Sequence, residues 1–312
     1  MEALRHAFPL TATLEATLEA NPGTVSARSL AEMRAAGLNR LSFGVQSANP
    51  TELRLLERAH DFFDVIQSVQ WARQAGFERL NLDLIYGLPE QTLQNWQNSV
   101  KRITDLAPDH ISMYSLTLEQ GTPFGRWAAR GLLPIPDPDL AAEMYEWADE
   151  FLAGLGYLQY EISNWALPGQ ESRHNLQYWR NLPYFGFGAG AHGSMDGIRY
   201  SNVLRIKTYL ERFSQPAHRY SYPLSFANVD QTRTAPYEAM QETMMLGLRL
   251  VQEGVSDTVF RARFGLGIAD AFPQELADLL RLGLLEWQKD ALRLTPRARL
   301  IGNQVFLRFV GE

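Results

Sequence analysis

The sequence predicts an α/β protein built on parallel (β/α) units, followed by an α+β auxiliary region and a small C-terminal domain of winged-helix outline. Three observations carry this prediction. Successive strand-then-helix patterns run from residue 12 to residue 118. Each of the first three strands is apolar on one face and ends with an amide or carboxylate on the other. Beyond residue 120 the composition shifts to aromatics and glycine, and from about Pro236 to short amphipathic helices and a hairpin.

In chain order, residues 1–8 read as the tail of a helix. Residues 12–21 alternate strictly, with Leu14, Ala16, Leu18 and Ala20 opposite Glu15, Thr17 and Glu19, and Asn21-Pro22-Gly23 ends the strand. Residues 26–37 form a helix stopped by Gly37. Residues 40–47 place Leu41, Phe43 and Val45 opposite Ser42, Gly44 and Gln46, and residues 51–76 supply one long helical stretch. In the central strand, residues 81–89, Leu80, Leu82 and Leu84 oppose Asn81 and Asp83, and Gly87 and Pro89 end it. A helix at 92–106 and a fourth strand at 111–118 follow.

Helices must cover the apolar face of each strand, so the leucines, Phe43 and Val45 point toward them and the polar residues point inward. A closed or nearly closed parallel barrel is expected, with Glu19, Gln46 and Asp83 at the carboxyl ends of their strands, where such folds bind ligands. A buried carboxylate needs a partner. Two readings are open for these groups: a ligand site, or side chains that satisfy loop backbone and trapped water.

The chain has 312 residues, 46% of them hydrophobic, enough for a sizeable core. Its formal net charge of -6 gives no basic surface for nucleic acid or anionic lipid. No apolar run is long enough to span a bilayer, and residues 1–14 lack a leader pattern, so a cytoplasmic location is expected. There is no cysteine, which excludes disulfides, thiolate catalysis and thiolate-held clusters within these residues.

Three stretches carry a resemblance: Glu19-Ala20-Asn21-Pro22-Gly23-Thr24, residues 39–47, and residues 81–89. They resemble the barrel motifs of HemN-type and HemW-type radical S-adenosylmethionine proteins. Residues 160–164 and His174-Asn175-Leu176-Gln177-Tyr178-Trp179 resemble the HemW heme-chaperone branch, and the alternative is an oxygen-independent coproporphyrinogen III oxidase of porphyrin biosynthesis. The likeness covers nearly the whole chain. It implies that Glu19, Gln46, Arg58 and Asp83 contact S-adenosylmethionine, and that heme and heme-accepting client proteins are the partners. The family also carries a 4Fe-4S cluster on a C-x3-C-x2-C loop and a glycine-rich loop for the methionine end, and neither occurs here. At about 30 residues for each βα unit the missing part is roughly 60 residues. The resemblance thus implies an incomplete barrel, an amino-terminal truncation and no radical chemistry from this chain alone. Glu57 stands where the family tends to have glycine before the arginine.

The resemblance and the composition together divide the chain at 1–120, 121–234 and 235–312. Pro134 and Pro138 mark a linker into a helix at 140–155. The segment 157–193 holds Tyr160, Trp165, Tyr178, Trp179, Tyr184, Phe185 and Phe187, and reads either as core under long loops or as a flat slot for a porphyrin. His174 is the first candidate for an axial heme ligand, flanked by Tyr178 and Trp179, with His192 second; a histidine bonded to backbone is the plain alternative. The glycines around His192 loosely match a dinucleotide loop without the βαβ unit it needs. The C-terminal helices and the hairpin at 284–295 match a winged-helix outline, for which acidic charge favours packing or a partner over DNA.

Overall fold

The computed structural model describes residues 1–134, 137–214 and 221–310. It divides into two compact units, Met1–Ser172 and Arg173–Glu312. The linker marked by Pro134 and Pro138 lies partly outside the described residues.

The first unit runs α1 (Glu2–Ala7), β1 (Thr17–Ala20), α2 (Ala27–Ala36), β2 (Arg40–Gln46), α3 (Pro50–Leu55), α4 (Phe62–Gln74), β3 (Arg79–Tyr86), α5 (Leu93–Thr104), β4 (His110–Ser115), α6 (Pro123–Ala129), α7 (Pro138–Gly154), β5 (Leu158–Glu161) and β6 (Asn164–Ala166). One sheet in the order β1-β2-β3-β4-β6-β5 joins the strands. β1 to β4 are mutually parallel, and β6 returns antiparallel on β4. The closed or nearly closed barrel read from the alternation is therefore an open sheet, in line with the incomplete barrel that the resemblance implies: β6 returns antiparallel on β4 where a further parallel strand, with its own crossover, would continue the barrel.

Helix ends follow the sequence closely. Ser26 caps α2 and Gly37 ends it at φ 105°, and Thr92 caps α5. On the helix-facing side Leu41, Phe43, Val45, Leu80, Leu82, Leu84, Ile111 and Met113 are buried. They pack with Val65, Val69, Trp96, Val100 and Leu152 in one core. The Trp96 indole N–H donates to Met144 O at 2.8 Å, so α5 and α7 are joined by a buried hydrogen bond as well as by packing.

Two expectations are corrected. The first strand covers only Thr17–Ala20, because the Asn39 side chain accepts from Ala16 N at 2.8 Å and donates to Leu14 O at 2.7 Å, replacing the strand pairing. The long helix at 51–76 is broken into α3 and α4, since Asp61 caps a new helix by accepting from Phe63 N and Asp64 N. The loop so created carries Arg58.

The second unit runs α8 (Arg173–Trp179), β7 (His192–Met195), β8 (Ile198–Asn202), α9 (Ile206–Phe213), β9 (Asn228–Arg233), α10 (Pro236–Gly247), β10 (Val255–Ser256), α11 (Asp257–Phe264), α12 (Ile268–Ala271), α13 (Pro273–Arg281), β11 (Leu285–Gln288), β12 (Ala291–Leu294), a 3-10 turn at Pro296–Ile301 and α14 (Gly302–Val310). β7, β8 and β9 form an antiparallel meander. The expected hairpin is β11–β12, and the two-residue β10 adds a third strand to it. Phe260, Phe272, Leu276, Leu279, Val305 and Phe309 are buried beneath this small winged sheet.

The glycine run near His192 serves close packing. A Cβ on Gly186 would lie 2.1 Å from His192 O, and one on Gly193 would lie 2.2 Å from the Tyr200 ring.

Candidate functional site

Period-two alternation sends Ser42, Asn81, Asp83, His110 and Ser112 to one side of the sheet, and parallel register aligns them: Ser42 beside Asn81, Asn81 beside His110, Asp83 beside Ser112. Asn81 is the hub. Its Nδ2 donates to Asp83 Oδ1 at 2.6 Å and to Ser42 Oγ at 2.7 Å. Its Oδ1 accepts from Ser112 Oγ at 3.1 Å and faces His110 Nδ1 at 2.6 Å. The reverse amide orientation would set a carbonyl against the Asp83 carboxylate, so chemistry fixes this one. An amide oxygen only accepts, hence His110 Nδ1 carries the proton and Nε2 accepts from the Tyr160 hydroxyl at 2.9 Å. Ser42 Oγ donates to Asp83 Oδ2 at 3.1 Å. Every hydrogen bond from Tyr160 onward points its donor toward Asp83.

Burial pushes the Asp83 carboxyl above its ordinary range; the bonds from Ser112, Asn81 and Ser42 oppose that rise, and the nearby Glu19 charge adds to it. His110 is held well below its ordinary value by burial, with Arg40 and Arg79 adding to the effect, so it is neutral. Arg40 is itself lowered by burial, against the opposing charge of Glu15. Glu15 pairs with Arg79 at 2.8 Å.

The remaining predicted residues gather beside this face. Gln46 ends β2 at a bulge, in the left-handed region at φ 67°. A Cβ on Gly44 would lie 2.9 Å from Gln46 Nε2 and 3.3 Å from Asn21 Oδ1, and Arg58 Nη1 donates to the same Asn21 oxygen at 3.2 Å. Gln46 and Asn21 thus flank Gly44, and Arg58 joins them through Asn21. Glu57 lies in the left-handed region at φ 52°, the conformation glycine adopts most easily, which explains why glycine suits this position. The buried Arg58 Nε has no hydrogen-bond partner among the described residues.

These features fit an S-adenosyl compound: carboxylates for hydroxyl or ammonium groups, a neutral amide, and a floor without a side chain. The iron–sulfur cluster does not fit. The 312 residues contain no cysteine, and no group of three or more metal-ligating side chains occurs among the described residues.

In the second unit His174 and Tyr178 share one face of α8, with ring centroids 4.7 Å apart and nearly perpendicular. Tyr184 continues the stack at 4.5 Å from Tyr178. The His174 side is exposed. Trp179, one residue past Tyr178, turns away by the helical step and lies under the Arg249 guanidinium at 4.6 Å. The expected grouping of three is therefore a pair, His174 with Tyr178. His192 is exposed at the start of β7. Trp165, included in the aromatic slot, is fully buried in the first unit and donates to Asp149.

Sequence reading missed Arg40, Ser42, His110, Ser112 and Tyr160 as members of the inner-face network. The alternation that singled out Gln46 and Asp83 also marks Ser42, and starting the fourth strand at His110 instead of Ile111 would have found the histidine. Tyr160 reaches it from β5 through tertiary folding alone.

Residues 2–103 match the Radical SAM superfamily and residues 235–301 match the HemN C-terminal domain. The fold is that of coproporphyrinogen III oxidase (HemN) from Escherichia coli, with a TM-score of 0.80 at 23% identity, covering 99% of this chain and 72% of that one. The two family matches define a radical S-adenosylmethionine-type α/β unit followed by a HemN-type C-terminal domain. Curated relatives narrow this further. Heme chaperone HemW of Bacillus subtilis is 41% identical over 96% of this chain and 76% of its own length, and that of Escherichia coli is 32% identical over 100% and 79%. Radical S-adenosyl methionine domain-containing protein 1, mitochondrial, of Mus musculus is 44% identical over 100% and 71%. The chain belongs to the HemW heme chaperone family. Among the described residues no helix is long and apolar enough to cross a membrane.

Proposed function

We propose that this chain binds heme through His174, with Tyr178 stacked against the imidazole, and passes it to a client protein. A separate residue set, Glu19, Gln46, Arg58 and Asp83, holds S-adenosylmethionine. The observation that carries the heme reading is an exposed imidazole packed edge-on against a tyrosine at 4.7 Å, imidazole being the usual protein ligand of heme iron. Trp179 supports α8 from its other side. On the nucleotide side, Glu19 and Asp83 would hold ammonium or ribose hydroxyl groups as acceptors, and Gln46 and Arg58 would add a neutral amide and a cation. When bound, heme supplies the cargo iron; the chain's own residues orient it. Porphyrinogen oxidation has no support beyond fold likeness.

Heme titration tests the reading. Wild type and Asp83→Ala should give the same shifted Soret band, while His174→Ala should weaken it. An unchanged spectrum in His174→Ala moves the ligand elsewhere, with His192→Ala the next variant. If neither histidine variant changes the spectrum, the heme assignment to this region fails.

A further inference from the structure

The second unit contains a cavity of about 440 Å³ between the end of α8, helix α10, strand β10 and helix α11, a volume in the range of small-molecule sites. Trp179, Leu182, Leu250, Val255, Val259 and Phe260 give it an apolar wall. The wall is not closed core: Val259 is 67% exposed and Leu182 39%. Its inner end is tight, since a Cβ on Gly247 would come 2.7 Å from Val255 Cγ2.

Three charged groups line the same cavity: Arg180, Glu253 and Arg263. Arg180 and Glu253 satisfy one another, with Nε at 2.9 Å and Nη2 at 2.6 Å from the carboxylate. The lining therefore carries one surplus positive charge, on Arg263. That guanidinium makes no hydrogen bond to another described residue. The nearest opposing charge, Glu242, is already paired with Arg199 at 2.8 Å. Burial lowers Arg263 and the Glu242 charge offsets this in part.

We infer that this cavity is a binding site for a small amphipathic monoanion, its apolar body against Val255, Val259 and Phe260 and its carboxylate on Arg263. The apolar wall accounts for the body, and the planar cation, which keeps its hydrogen-bond donors while it lies over the Phe264 ring at 5.1 Å, accounts for the sign of the head group, since guanidinium pairs best with a carboxylate. The inference does not rest on the heme or S-adenosylmethionine readings. An apolar side chain of a protein partner would use the wall without needing Arg263.

Calorimetric titration of the full chain with decanoate, and with decyltrimethylammonium as the cationic counterpart, both below micelle formation, tests it. Saturable one-to-one binding of decanoate is expected, at least about tenfold tighter than the cation, the size of effect a single charge-assisted hydrogen bond gives. Arg263→Gln should bring the two within about threefold, the double variant Arg180→Gln/Glu253→Gln, which removes the internal ion pair and keeps the net charge of the lining, should leave the preference in place, and Val259→Asp should remove binding of decanoate with unchanged circular dichroism. Both Arg263 and Val259 are exposed on α11, so these variants are compatible with folding. Equal affinity for the two head groups in wild type, an unaltered preference in Arg263→Gln, or no saturable decanoate binding overturns the site.

Discussion

Replacing His110 by glutamine should flatten the acid side of the protein's stability profile. His110 is 1% exposed, donates to Asn81 and accepts from Tyr160. Its folded pKa lies well below the ordinary 6.5 because of burial and the Arg40 and Arg79 charges. Between those two values the unfolded chain binds a proton that the native chain refuses. Stability therefore rises with pH through this window, is fully present above 6.5, and is lost as pH falls. Integrating the linkage relation for one such group gives a loss of about 1.4 kcal/mol between pH ~7.5 and pH ~5.5. Asp83 acts in the opposite direction, because a raised folded pKa makes the native chain the better proton acceptor, and it is present in both proteins. Glutamine also weakens the network, by about 1–3 kcal/mol at either pH. Urea unfolding of wild type and His110→Gln at the two pH values isolates the histidine as the difference between their pH dependences. Parallel dependences, within about 0.5 kcal/mol, would refute the neutral buried histidine and with it the assigned direction of the network.

Glu57→Gly should stabilise the chain by about 0.5–1 kcal/mol in urea unfolding, since a side chain is removed from a left-handed position at φ 52°; a loss of stability would show that the Glu57 side chain has contacts worth more than its strain. Gly186→Ala should lower stability by about 2 kcal/mol or more, as its Cβ would lie 2.1 Å from His192 O. The matched control Gly154→Ala, which likewise has no positive φ and has nothing within 4 Å of an added Cβ, should leave stability unchanged or raise it by up to about 1 kcal/mol, and equal losses would discount the close approach. Reconstitution of the purified chain with iron and sulfide should give no 4Fe-4S absorbance, because no thiolate is available; cluster-dependent formation of 5'-deoxyadenosine by this chain alone would contradict that.

Local pattern determined much of this protein. Alternation in residues 40–46 and 79–86 settled which side chains meet the helices, and Ser26, Gly37 and Thr92 placed helix ends through backbone chemistry that acts within a few residues. Asp83 was visible as a polar residue on a strand otherwise leucine-rich, and the lack of cysteine showed by counting that these 312 residues hold no thiolate ligand. Other features depended on distant parts of the chain. The sheet stays open because β6 returns antiparallel on β4, a choice that strand periodicity does not encode. The β1 strand is short because Asn39 occupies the backbone of Leu14 and Ala16 from 25 and 23 residues away. His174 and Tyr178 were separated from Trp179 by helical rotation, and Trp165 was taken into the core by packing. Above all, Asn81 became a hub only when β2, β3, β4 and β5 brought Ser42, His110, Ser112 and Tyr160 to it. Sequence determines which groups lie on a face; register and crossing decide which of them are close enough to share a proton.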